Sequence, residues 1–210
     1  HAAQGDTASP ATTSVQTYAD AGIKGVTADN LTAVNAQLNS PGTDATAANT
    51  PEKIQAIVNG VIADKAIDAI QHAAQGDTAS PTTTSVQTYA DAGIRGVTAD
   101  NLAAVNAQLN SPGTNGAAAN TPEKIQAIVD GVNAAKAIAV IQHAAQGDTA
   151  SPTTTSVQTY ADAGIKGVTA DNLAAVNAQL NDPATNGAAA NTPEKIQAIV
   201  NGVLADKAID

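Results

Sequence analysis

The chain has 210 residues, of which 43% are apolar, yet its only aromatics are three Tyr, and Phe, Trp, Met and Cys are missing altogether. Zero cysteines exclude a disulfide framework and thiolate metal sites. Nineteen acids against nine Lys and Arg give a net charge of −10, which argues against nucleic acid or an anionic membrane as partner, because phosphate binding needs clustered cations.

An apolar fraction drawn from Ala, Val, Ile and Leu suits closely approaching helices. Each such side chain buries little area, so any single core is expected to be thin. No apolar run nears the roughly 18–20 residues that span a bilayer, and no charged-then-apolar leader is seen. Direct membrane insertion is therefore not expected. A chain opening on His1 rather than Met is expected to be a fragment or a processed product, with any targeting signal outside it.

The dominant feature is internal repetition. His1, His72 and His143 each open the string HAAQGDTASP, a period of 72 − 1 = 71 residues. Over their 68 shared positions the second and third copies differ at seven, and the first and third at eight. Such a period marks an array of structural units rather than one enzyme fold. Recent duplication also makes copies alike, so their identity is not evidence of constraint.

Each copy is predicted to hold three helices. In the middle copy, Ser80-Pro81 supplies a cap followed by proline at a first helical position. Val86, Tyr89, Ala90 and Gly93 then follow at helical spacing, with Gly93 as the C′ residue that ends the helix. A connection through Ile94, Gly96 and Val97 leads to Thr98 as the next cap. The second helix carries Leu102, Val105 and Leu109 and stops at Asn110-Ser111-Pro112-Gly113. After a polar loop over 114–120, Thr121-Pro122-Glu123 gives the clearest start signal: cap, proline, acid in the first turn. Ile125, Ile128, Val129 and Val132 continue at helical spacing to about Gln146, and Gly147 closes the segment.

At about 25 residues, or roughly 37 Å, this third helix is about twice the length of its partners. Its surplus, residues 137–146, is expected to overhang its own copy and pack on the start of the next. The connector 147–151 is short, which predicts a semi-rigid array. Gly60, Gly131 and Gly202 interrupt the third helices at a cost of about 1 kcal/mol each relative to Ala; close approach of another helix or a local kink would account for them. Position 62 is Ile, but its equivalents are Asn133 and Leu204, the pattern of a partly exposed site. The core set expected in the first copy is Val15, Tyr18, Leu31, Val34, Leu38, Ile54, Ile57, Val58 and Val61. The last copy stops at Asp210, inside its third helix, and its final turns are expected to fray.

The order Ala21-Gly22-Ile23, Val26-Thr27-Ala28-Asp29, then Thr50-Pro51-Glu52-Lys53-Ile54 resembles the GA module, the three-helix albumin-binding domain of streptococcal and related surface proteins. It resembles more closely the GA-like repeats of large bacterial adhesins. The likeness covers roughly 45–50 residues of each copy and rests on short, Ala-rich motifs. It implies a three-helix bundle on an exported, extracellular protein of the bacterial cell surface. Albumin-binding members carry aromatic residues on the second helix and the loop before it. Here that segment is Ala28-Asp29-Asn30-Leu31-Thr32-Ala33-Val34, without one, and no binding residue carries over.

Chemical motifs are few. A Ser-His-Asp arrangement would need His72, Ser80 and Asp77 to meet near one loop, and a polar residue at a helix terminus explains His72 better. His72 with Asp77 leaves too few ligands for a closed metal site. An EF-hand spacing is missing, and Gly22-Ile23-Lys24-Gly25 carries no phosphate-loop signature. Asn30-Leu31-Thr32 matches a glycosylation acceptor in the first copy alone. The threonines of 79–85 raise ice binding, without the fixed helical interval it requires. The tyrosines, by their spacing, are core residues.

The resulting expectation is an all-α chain: a tandem array of three three-helix bundles, each with a long third helix, forming an elongated rod. The boundaries are 1–75, 76–146 and 147–210. No catalytic, cofactor-binding or metal-binding residue is assigned. The function expected is that of non-catalytic spacer repeats projecting an adhesive domain, with neighbouring repeats as the partners. The alternative is a module that binds a host protein such as serum albumin, where repetition would add avidity.

Overall fold

The computed structural model describes residues 13–40, 43, 48–74, 84–111, 114, 119–145, 155–182 and 190–207. Among them are nine α-helices and no strand, so the chain is all-α. The first copy holds α1 (Val15–Asp20), α2 (Leu31–Leu38) and α3 (Pro51–Ala74). The second holds α4 (Val86–Asp91), α5 (Leu102–Leu109) and α6 (Pro122–Ala145). The third holds α7 (Val157–Asp162), α8 (Leu173–Leu180) and α9 (Pro193–Lys207). The residues fall into two compact units, one running to Gln126 and the other from Ala127.

The first helix of each copy is a six-residue segment fixed at both ends. Ser85 Oγ accepts from the Thr88 amide at 3.1 Å, and the Thr88 hydroxyl accepts from the Ser85 amide at 3.1 Å, a reciprocal capping box. The cap is therefore Ser85, five residues later than the Ser80 expected from sequence; Ser80 and Pro81 lie outside the described residues. At the other end Gly93 adopts φ +76°. Its amide donates to Ala90 O at 3.0 Å, and the Ile94 amide to Tyr89 O at 2.8 Å. These two bonds form a Schellman motif, in which the residue after the glycine folds back on the helix. Ile94 and Tyr89 are both buried, so the helix stop also sets two core side chains.

The connection to the second helix is held by one buried asparagine. Asn101 Nδ2 donates to Gly96 O at 2.7 Å while its Oδ1 accepts from the Thr98 amide at 2.7 Å. Asn30 and Asn172 repeat both bonds in the other copies. Thr98 is thus not the side-chain cap expected. Its carbonyl accepts from Asn101 and Leu102, opening the turn that leads into α5. A second clamp comes from the third helix: Gln126 Oε1 accepts from the Arg95 amide at 2.8 Å and Nε2 donates to Arg95 O at 3.0 Å. Gln55 and Gln197 grip Lys24 and Lys166 in the same way.

The third helices begin where the Thr-Pro-Glu signal placed them. Ile125 donates its amide to Thr121 O at 3.0 Å, and Pro122 occupies the first helical position. Hydrogen bonds from its own amide and from the Thr121 hydroxyl hold the Glu123 carboxyl below its usual range, an anion suited to the helix N-terminus.

In the first copy the core gathers Tyr18, Ile23, Val34, Leu38, Val58 and Val61, with Leu31, Ile54, Ile57 and Ile62 packed against it. Val15 is half-buried and outside this cluster, and its equivalent Val86 is 36% exposed. At the first helical position the side chain points away from the surface that Tyr18 and Ile23 close. Position 62 is half-buried in all three copies, as its Ile, Asn and Leu occupants suggested.

The interior glycines do not admit a closely approaching helix. A Cβ built at Gly60, Gly131 or Gly202 meets nothing within 4 Å, which overturns that explanation. The close approach occurs elsewhere. Gly25, at φ +84°, would place a Cβ 2.8 Å from Ile62 Cδ1, so the loop lies directly on the third helix.

Two outcomes follow. Asn101→Ala or Asn172→Ala strips two partners from a buried loop and is expected to cost about 1–3 kcal/mol, read as a lower denaturant midpoint. Gly60→Ala, Gly131→Ala and Gly202→Ala lose no contact and gain about 1 kcal/mol each in helix propensity. Each should raise the melting temperature in calorimetry; a decrease would mean that the glycine has a role in packing.

Candidate functional site

The described residues place two features where a site would be sought: a buried polar group beneath each tyrosine, and an apolar surface shared between successive copies. Tyr89, fully buried, donates its hydroxyl to Asn106 Oδ1 at 2.7 Å, and Thr84 Oγ1 donates to the same oxygen at 2.7 Å. Tyr160, Asn177 and Thr155 repeat the triad at 2.8 and 2.7 Å. In the first copy Tyr18 donates to Asn35 Oδ1 at 2.6 Å, and Asn35 Nδ2 donates to Thr13 O at 3.2 Å. An amide, a phenol and a hydroxyl hold neither a nucleophile nor a proton-transfer pair of suitable pKa. Their effect is to anchor the extended residues ahead of the first helix to the second helix. Among the described residues every buried side-chain nitrogen and oxygen has a partner.

The shared surface is built from the surplus length of the third helix. In α3, Ile54, Val58 and Val61 face the first copy's core. Ala66, Ile70 and Ala74, further along the same helix, are buried as well, and α3 packs against α4 and α5. The second unit shows the partners. There Ala137, Ile141 and Ala145 of α6 share one core with Tyr160, Ala163, Ile165, Val176, Leu180, Ala190, Ile196 and Val200 of the third copy. The expected overhang therefore exists and is filled: the second half of each long helix completes the core of the copy that follows. Its stripe of Ala, Ile and Ala at i, i+4 and i+8 lies along one face of a helix.

The residues weighed for chemistry are not brought together. His72 lies in the last turn of α3, its Nδ1 2.9 Å from Asp68 O and 3.7 Å from Asp68 Oδ1. Ser80 and Asp77 lie outside the described residues, as do residues 79–83 of the threonine run. Thr84 and Ser85 serve the tyrosine triad and the helix cap. His143 is exposed on the last turn of α6. Asn30 is buried with its side-chain amide committed to Gly25 O, an arrangement unsuited to a glycosylation acceptor. Among the described residues no three His, Cys, Asp or Glu side chains are grouped as metal ligands, and no helix is long and apolar enough to cross a membrane.

Comparison with known proteins adds no relative: no family model, no curated protein and no solved structure matches the chain.

Sequence reasoning found the tyrosines but missed the asparagines and threonine beneath them. The available signal was the repeated spacing of Tyr89 and Asn106, 17 residues apart in every copy, which only a known helix–helix arrangement makes legible. Burial pushes the Tyr89 and Tyr160 hydroxyls up to about 12, against an ordinary 10.0, and raises Tyr18 in the same direction. The folded chain thus holds these phenol protons more tightly than the unfolded chain does. That stability is fully present below pH 10 and is lost as pH rises toward 12. Far-ultraviolet circular dichroism should show helix loss in this alkaline window. Tyr89→Phe with Tyr160→Phe should move the loss to higher pH, while costing about 1 kcal/mol per hydrogen bond at neutral pH.

Proposed function

We propose that the three copies are non-catalytic spacer repeats, a segment of the stalk of a bacterial cell-surface adhesin that holds a distal adhesive domain away from the cell. In this proposal each copy is a three-helix bundle, and the bundles line up as an elongated rod. The observation that carries it is the division of the third helix. One continuous 24-residue segment, about 36 Å long, buries Val58 and Val61 in its own copy and Ile70 beyond it. A helix committed to two successive cores resists bending between them, because bending would expose apolar side chains or break backbone hydrogen bonds.

The remaining features are consistent with a spacer. The polar groups found are used internally to fix loops and caps. A net charge of −10 favours solubility and discourages close association of neighbouring chains. The resemblance to GA-like adhesin repeats supports the extracellular assignment. For albumin recognition, the segment from Ala28 to Val34 offers no aromatic anchor, and such anchors carry much of the energy of protein interfaces.

Small-angle X-ray scattering on chains of one, two and three copies is the test. A stalk requires the maximum dimension to grow by a constant step per copy at constant cross-section. Sublinear growth would remove the rod, and saturable micromolar binding in a serum-albumin titration would replace the spacer with a binding module.

A further inference from the structure

The first copy carries the surface that the long helices cover in the second and third, and carries it open. Ala92 and Ala163 are 3% and 2% exposed, whereas the equivalent Ala21 is exposed. Ala119 and Ala190 are fully buried, whereas Ala48 is half-buried; Ile125 and Ile196 are fully buried, whereas Ile54 is half-buried. These side chains are the same in all three copies, so their sequence cannot cause the difference. The cause is the helix laid over them. In the third copy Ala163, Ala190 and Ile196 share a core with Ala137, Ile141 and Ala145 of α6, and in the second α3 lies on α4 and α5.

We infer that the face formed by Ala21, Ala48 and Ile54 is a docking site for the second half of a repeat's long third helix, and that it accepts such a helix from a separate chain. The occupant is specified by continuity with the interface inside this chain. It presents Ala, Ile and Ala at i, i+4 and i+8, as Ala66-Ile70-Ala74 and Ala137-Ile141-Ala145 do. Alanines on both sides permit close approach of the helices, and one Ile per helix supplies the large group. The receiving face keeps its shape without the occupant: Tyr18, Val34 and Leu38 beneath it are buried to 4%, 0% and 3% exposure. Docking therefore adds an element to a formed core. This inference rests on packing between copies and not on the stalk proposal, so scattering and binding experiments fail independently.

The probe is a fluorescently labelled, end-blocked peptide of residues 130–145, titrated with the 210-residue chain and followed by anisotropy. Its length is close to the limit for an isolated helix in water, so binding should also raise helicity. The expected result is saturation at one peptide per chain, because the faces on the second and third copies are occupied. Ile141→Asp in the peptide should abolish binding. Ala21→Arg in the chain should weaken it at least tenfold while leaving the chain's helicity and melting temperature unchanged, since Ala21 is exposed. No saturable binding, more than one peptide per chain, or full affinity in Ala21→Arg would each overturn the inference. Dimerisation of the chain that Ala21→Arg abolishes, without peptide binding, would also overturn it, by making the face a contact between like surfaces.

Discussion

The constraint on which the rest depends is a shortage of bulk. With one Tyr per copy and otherwise only Ala, Val, Ile and Leu, three helices of this size bury too little apolar surface to offset the ordering of some 70 residues with much margin. The copies meet this by lending one another a helix. Ile70 and Ile141, fully buried, lie in the half of α3 and α6 that extends past the copy to which each helix belongs. The apolar core is distributed along the chain, and the length of the third helix follows from that distribution. Repeat proteins stabilised by nearest-neighbour interfaces obey this logic generally.

Thin cores also explain the density of side-chain-to-backbone hydrogen bonds in the connections. Where aliphatic packing cannot fix a loop, Asn101 and Gln126 do, each with one bond given and one received. Bonds of this kind add modest net stability, but leaving their buried partners unsatisfied is expensive. Their contribution is to conformational definition. The Schellman stop at Gly93 acts alike, since it turns the chain and buries Ile94 against Tyr89 in one step. Loops defined so fully leave no cleft in which catalytic groups converge, in keeping with the proposed spacer role.

Much of this was legible in the sequence, for identifiable reasons. Thr121-Pro122-Glu123 marks a helix start because cap, fixed φ and first-turn acid all act within four residues, and α6 begins at Pro122. Gly93 was readable as a stop because a positive φ favours glycine. The overhang was readable from helix length alone. The failures share a different cause. Ser80-Pro81 was preferred to Ser85 because several Ser and Thr residues compete in that run, and the choice is made by the Thr88 hydroxyl reaching back. Val15 was placed in the core because helical spacing identifies a face but not where the face ends. The glycine at position 60 was assigned a packing role that the open space around it contradicts. The Tyr–Asn–Thr triad and the Gln55 clamp join residues 17 and 31 apart, contacts that no local pattern encodes.

The interface between copies is made of two different surfaces, a helix stripe on one side and the face over Tyr160 and Ile196 on the other. A contact between unlike surfaces does not close on itself as a two-fold dimer does; repeated, it generates an open series. Placing the units in one polypeptide fixes their order and makes each docking event intramolecular, at a high effective concentration set by the short connector. A weak interface of alanines and one isoleucine is then sufficient, although the same contact between separate chains would require far higher concentrations. Covalent repetition and a thin core are thus two aspects of one solution. The array gains length by adding copies, and each added copy supplies the helix that the next one needs.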